Sequence, residues 1–179
     1  MESKFNSERK HSILKARAQK LAELTKEDVE KEDCIEVVEF TLGKERYAIE
    51  SIYVREVYPL KNLTVLPCVP DFVYGVINVR RKIISLIDLK KVFDLPNQEH
   101  TPYSKVVILE KEDMEFAILC DTLIGVTAVP VAKIQTSLPT LTGLKQEFFK
   151  GVTTDYLTIL DADSLLTSKK LVVNETIEI

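Results

Sequence analysis

From Cys34 onward the apolar residues come in short runs broken by charged turns. Glu36-Val37-Val38-Glu39-Phe40-Thr41-Leu42 leads into Gly43-Lys44-Glu45-Arg46 and then Tyr47-Ala48-Ile49, which reads as strand, polar turn, strand. Further β-rich segments follow at Val54–Tyr58, Leu63–Leu66, Val73–Val79 and Ile83–Ile87. Prolines at 59, 67, 70, 96, 102, 130 and 139 punctuate them, and a proline has no N–H to give to a central ladder. Helix is predicted only in short stretches: part of Ile52–Val57, then Asp88–Phe93 and Asp163–Thr167. Residues 1–33 have another texture, rich in both charge signs and without Gly or Pro. There Leu14, Ala18, Leu21 and Leu24 recur at helical spacing, so an amphipathic helix is expected over about Ser7–Leu24. Alone it would be marginal, so its stripe must dock on this chain or on a partner.

The body of the chain repeats. Tyr47-Ala48-Ile49 with Val57 returns as Phe116-Ala117-Ile118 with Val126, an offset of 69 residues at each position. Phe72-x-x-Gly75-Val76 returns as Phe148-x-x-Gly151-Val152 at an offset of 76. Ser85-Leu86-Ile87-Asp88-Leu89 returns as Thr158-Ile159-Leu160-Asp161-Ala162 at an offset of 73. A drifting offset is what loops of unequal length produce. The predicted fold is mainly β: two five-stranded barrel subdomains of about 34–100 and 103–170, with strands open to exchange. Units that small bury little core alone, so the two should pack together. Gly75 and Gly151 are expected to mark a bend or a close backbone approach, and Asp88 and Asp161 to cap the short helices that follow them.

Composition narrows the function. The chain has 179 residues, 45% of them hydrophobic, which is enough for a packed core. Its net charge is −4, a poor match to a phosphate backbone, and 7% aromatics with no Trp leave little for base stacking. No apolar run approaches the ~18 residues of a membrane-spanning helix, and the first residues have no signal-like apolar segment. Cys34, Cys68 and Cys120 are too far apart for a zinc knuckle and odd in number, which points to a reducing, cytoplasmic setting. His11 and His100 stand apart from any nucleophile or second ligand type. The five glycines form neither GxGxxG nor a P-loop. Asp161 and Asp163 are a carboxylate pair, but their place before Ser164-Leu165-Leu166 suits capping better than acid–base work. The expectation is a protein without enzymatic activity, metal or cofactor.

Phe40-Thr41-Leu42-Gly43, Tyr47-Ala48-Ile49, Val54-x-Glu56-Val57, Pro70-x-Phe72-x-x-Gly75-Val76-Ile77-Asn78-Val79-Arg80 and Ile87-Asp88-Leu89 resemble the CheW coupling proteins of chemotaxis, over about residues 34–167. Cys120-Asp121 falls where that family often has Val-Asp. The resemblance implies two SH3-like barrels side by side and a non-enzymatic adaptor. Such an adaptor links chemoreceptors to the regulatory domain of a CheA-type histidine kinase, in the cytoplasm at membrane-associated arrays. The short stretches flanking the CheW-like segment suggest a stand-alone adaptor rather than a CheV or CheA.

Carried over position by position, the resemblance implies receptor contacts at Val54, Glu56, Gly75 and Arg80, with the tip of a receptor's helical hairpin as ligand. The residues alone also fit a solvated face for Glu56 and a core position for Val54. Kinase-contact residues are not legible. One departure stands out: the family usually has Gly after that arginine, and this chain has Arg81. Glycine permits a positive-φ turn that arginine resists, so a turn of altered shape, or one running through Arg80-Arg81-Lys82, is expected. Two other readings remain: a CheW-like scaffold serving a different output, and a barrel pair that binds a small ligand.

Overall fold

A computed structural model describes residues 33–96, 104–136 and 144–171. The helix predicted over Ser7–Leu24, both histidines and the junction near 100–103 lie outside the described residues. The β body begins at Cys34. Its first half forms β1 (Cys34–Leu42), β2 (Glu45–Glu50), β3 (Val54–Pro59), β4 (Leu63–Thr64), β5 (Val73–Val79) and β6 (Lys82–Ile87). The second half forms β7 (Lys105–Lys111), β8 (Met114–Cys120), β9 (Thr122–Pro130), β10 (Ile134–Gln135), β11 (Phe149–Thr153) and β12 (Thr158–Leu160). Among the described residues three short helices accompany them: α1 (Leu89–Val92), α2 (Leu144–Glu147) and α3 (Ala162–Thr167). Where helix was predicted within Ile52–Val57, only a single 3-10 turn forms, Ser51–Tyr53. Val54 and its neighbours extend into β3, as expected of a β-branched, alternating run.

The strands make two six-stranded sheets. Sheet one runs β10-β11-β12-β2-β1-β9 and sheet two runs β3-β7-β8-β6-β5-β4. Each is five strands plus a two-residue strand at one edge. Neither sheet is built from one half of the sequence. The hairpin β1–β2 of the first copy sits in the sheet of the second, and the hairpin β7–β8 of the second sits in the sheet of the first. The exchange is reciprocal: β12 pairs with β2 in parallel, and β6 pairs with β8 in parallel. The halves 34–100 and 103–170 are thus units of repetition, and each sheet draws on both.

Alternation explains why these hairpins can be lent. On β7 and β8, Val106, Ile108, Ala117 and Leu119 face the interior of sheet two, while Val107, Leu109, Phe116, Ile118 and Cys120 face a larger central core. On β1 and β2, Val37 and Ala48 face the interior of sheet one, while Phe40, Leu42, Tyr47 and Ile49 face the same central core. A strand buried on both faces reads as a near-continuous apolar run, as Val106–Leu109 and Phe116–Leu119 do. Each fully buried Leu or Ile there contributes roughly 1.5–3 kcal/mol over exposure, so the shared core holds both sheets together.

The two copies also agree in detail. Asp88 caps α1 by accepting from the Lys90 amide at 2.9 Å, and Asp161 caps α3 by accepting from the Ser164 amide at 3.1 Å. The Asp88 amide donates to the Phe72 carbonyl at 2.8 Å and the Asp161 amide to the Phe148 carbonyl at 2.9 Å. Between β5 and β6 Tyr74 is an extra residue before Gly75, and between β11 and β12 Lys150 is an extra residue before Gly151. Gly75 has φ of 149° and lies against the Thr64 carbonyl oxygen and the Leu63 side chain, leaving no room for a Cβ. At Gly151 a Cβ would sit 2.8 Å from the Gln135 carbonyl oxygen.

Candidate docking site

β3 lies at the edge of sheet two, next to β7. Its register is interrupted: Val54 stands opposite Leu109 and Glu56 opposite Ile108, so Arg55 is a bulged residue. A bulge re-aims the side chains beside it. Val54 is half-buried and packs on the central core. Glu56 reaches the turn between β5 and β6, where its Oε2 lies 3.0 Å from Nη2 of Arg80. The arginine side chain is 76% exposed and the glutamate side chain 18%. The other carboxylate oxygen, Oε1, is buried and accepts no hydrogen bond among the described residues. A buried acceptor without a partner is costly.

Of the four sequence-predicted contact residues, the structure joins Glu56 and Arg80 directly and places Val54 two residues along the same strand. Gly75 lies on β5, against β4. The turn at Arg80-Arg81 does not run on through Lys82. Val79 pairs with Lys82, so the turn has two residues, and both enter the left-handed region, Arg80 at φ 50° and Arg81 at φ 70°. The arginine adopts the backbone a glycine would favour. Its amide is held by a hydrogen bond to the Asn78 side-chain oxygen at 3.1 Å.

A neighbouring network could not be read from the sequence. The Arg55 guanidinium pairs with Glu115 and lies 3.6 Å from Glu110, and Glu115, itself almost buried, also pairs with Lys82. Its members come from β3, β6, β7 and β8, so only the hairpin exchange brings them together. A second cluster lies on the inter-sheet core. Lys90, only 1% exposed, pairs with Asp121 at 3.1 Å, and Asp121 also accepts from the Gly43 amide at 2.6 Å. That carboxylate fastens the β1–β2 turn of one copy to the β8–β9 junction of the other.

The perturbed groups give no sign of a nucleophile. Burial pushes the Cys120 thiol up to about 12, and burial with a bond to Glu45 raises the Tyr47 hydroxyl well above its usual range. Among the described residues no three His, Cys, Asp or Glu side chains cluster to hold a metal. An open hollow of about 670 Å³ lies by the β1–β2 and β11–β12 turns, lined by Lys44, Arg46, Gln135, Thr153 and Tyr156. It contains none of the predicted contact residues.

Comparison with known proteins decides the family. The CheW-like domain matches residues 36–170. The chain belongs to the CheW family. It is 35% identical to the chemotaxis protein CheW of Treponema pallidum over 145 residues, covering 76% of this chain and 84% of that protein. It is 26% identical to CheW of Klebsiella aerogenes over 141 residues, covering 77% of this chain and 85% of that one. The crystal structure of the scaffolding protein TtCheW from Thermoanaerobacter tengcongensis superposes with a TM-score of 0.64 at 29% identity, over 72% of this chain and 84% of that structure. Membership makes the chain a chemotaxis coupling adaptor of mainly β architecture. The CheW family is one of scaffolds, and among the described residues no helix is long and apolar enough to cross a membrane.

Proposed function

We propose that the chain couples chemoreceptors to a CheA-type histidine kinase, holding the tip of a receptor's helical hairpin at the surface formed by β3 and the β5–β6 turn. The observation that carries this is the Glu56–Arg80 pair at 3.0 Å, which joins the β5–β6 turn to the strand that also holds half-buried Val54. Val54 supplies apolar area, Glu56 and Arg80 supply polar selection, and Gly75 keeps β5, the strand that leads into the Arg80 turn, close against β4. No covalent step is involved. The kinase's regulatory domain would dock on other barrel edges, and membrane recruitment would follow from the receptor. Weak individual contacts suffice in an array, where linkage raises the effective concentration of each neighbour.

The test is retention of a purified receptor cytoplasmic fragment and, separately, of a CheA-type kinase. Arg80→Glu sets a like charge against Glu56, and Val54→Asp places a carboxylate in the contact. Each is expected to weaken receptor binding at least ~10-fold, in line with the roughly 2–5 kcal/mol cost of a mismatched desolvated charge. Kinase binding and the circular dichroism spectrum should stay near the parent's. Parental receptor binding by both variants would overturn the assignment.

A further inference from the structure

Among the described residues, Arg80 and Arg81 are the one place where two consecutive non-glycine residues have positive φ, at 50° and 70°. Two-residue hairpin turns with both residues left-handed favour Asn-Gly or Gly-Gly, because a Cβ is disfavoured there. The two other two-residue turns avoid the double strain: Gly43 takes φ of 63° between β1 and β2, and Glu112 alone takes φ of 54° between β7 and β8. The turn gains nothing from an arginine at position 81, so something other than backbone geometry must account for it.

The three cations of the turn have different commitments. Arg80 is held by Glu56 and Lys82 by Glu115. Arg81 is exposed and has no carboxylate partner among the described residues. The chain as a whole carries −4, so an acidic ligand is repelled by the body and drawn to this cationic tip. We infer that Arg81 determines specificity: it selects receptors whose hairpin tip presents a carboxylate opposite the β5–β6 turn, a gain set against the strain it brings. This rests on the receptor-binding role proposed for the same surface.

The experiment measures affinity for a receptor cytoplasmic hairpin fragment at low and high salt, together with the melting temperature, for the parent, Arg81→Gly, Arg81→Lys and Arg80→Glu. Arg81→Gly should melt about 2–4 °C higher, because the turn is relieved, and yet bind about 2–5-fold more weakly at low salt. That deficit should shrink at high salt, and Arg81→Lys should stay within about 2-fold of the parent, since a rim charge acts mainly by its sign. Parental affinity in Arg81→Gly would overturn the inference while Arg80→Glu still lost binding. Equal losses in Arg81→Lys and Arg81→Gly would overturn it too, by showing that charge is not what is read. So would binding of the parent to phosphatidylserine vesicles that Arg81→Gly abolishes while receptor affinity stays unchanged. If the parent itself fails to bind the receptor fragment, the receptor role falls and this inference with it.

Discussion

The two copies of the repeat share a strand plan and the places of its bulges and differ in what they place on it. In the first copy the bulged residue of β3 is Arg55, followed by Glu56, and both form ion pairs. In the second copy Ile124 is the bulged residue of β9, 69 positions later, followed by Gly125. Ile124 and Val126 are exposed apolar side chains, and an added Cβ at Gly125 would meet nothing within 4 Å. The turn that carries Arg80 and Arg81 in the first copy is matched by the turn after β11, where Tyr156 is 85% exposed. One framework therefore presents a charged edge and an apolar edge. Surfaces of unlike chemistry discriminate between ligands where two copies of one surface would not.

The largest expected effect tests whether the copies are as alike inside as they differ outside. Three glycines separate two costs. Gly125 has φ of 151° in open space, so alanine there adds backbone strain only. Gly151 has no left-handed φ but lies against Ile134 and the Gln135 carbonyl, so alanine adds overlap only. Gly75 combines φ of 149° with overlap on the Thr64 carbonyl. Strain and overpacking are each about 1–3 kcal/mol, so Gly75→Ala should lose about 3–5 kcal/mol in urea denaturation, close to the sum of the other two. A Gly75→Ala loss no larger than that of Gly151→Ala would show that β5 can shift, and the copies would then differ in rigidity as well as chemistry.

The next effect contrasts the helices that follow β6 and β12. α1 brings buried Lys90 to Asp121, whereas α3 brings Asp163 to Lys111, with both side chains partly exposed. Asp121→Ala takes a carboxylate from a buried ammonium and also frees the Gly43 amide; about 3 kcal/mol should be lost. Asp163→Ala should leave the urea midpoint almost unmoved, because exposed pairs contribute little. Similar losses from both would remove the distinction between a clamp and a surface pair.

The repeat was legible because aromatic-Ala-Ile, Phe-x-x-Gly-Val and apolar-Asp recur in order, and each of those letters has the same job twice. The bend glycines and the cap aspartates followed from local chemistry alone. Strand exchange was left open by the sequence, but which hairpins move was not legible, since Val106–Leu109 and Phe116–Leu119 are apolar on both faces and fit either sheet equally well. The proposed contact residues came only from the resemblance. The Glu56–Arg80 pair, the Arg55–Glu115–Lys82 network and the Lys90–Asp121 clamp each join residues whose nearness is a consequence of topology. The Arg80-Arg81 turn ran against local preference: the Asn78 side chain and the pairing of Val79 with Lys82 impose two residues where the letters argued for a looser turn.

The smallest expected effect is a rate, and it asks whether the exchanged hairpins open separately from the rest. Copy two ends β8 in Cys120, where copy one has Ser51 bonded to Glu36 at 2.7 Å. The Cys120 thiol donates to the Lys105 carbonyl and, with its pKa pushed up to about 12 by burial, has almost no thiolate at pH 8. Cys34 and Cys68 are exposed. Two thiols should therefore react quickly with a disulfide reagent in the native protein and the third only as fast as the fold opens. Because the raised pKa favours the neutral folded form, its stabilising share is complete below about pH 8.5 and is lost as pH climbs toward 12, so the slow phase should accelerate with alkali. A hairpin buried on both faces cannot open without parting the two sheets. The slow rate should then track urea denaturation, and Asp121→Ala should speed it by the same factor that it lowers global stability. Cys120 labelling that is independent of urea would mean that β7–β8 leaves the core on its own, and that the exchange joining the copies is a local contact rather than their common core.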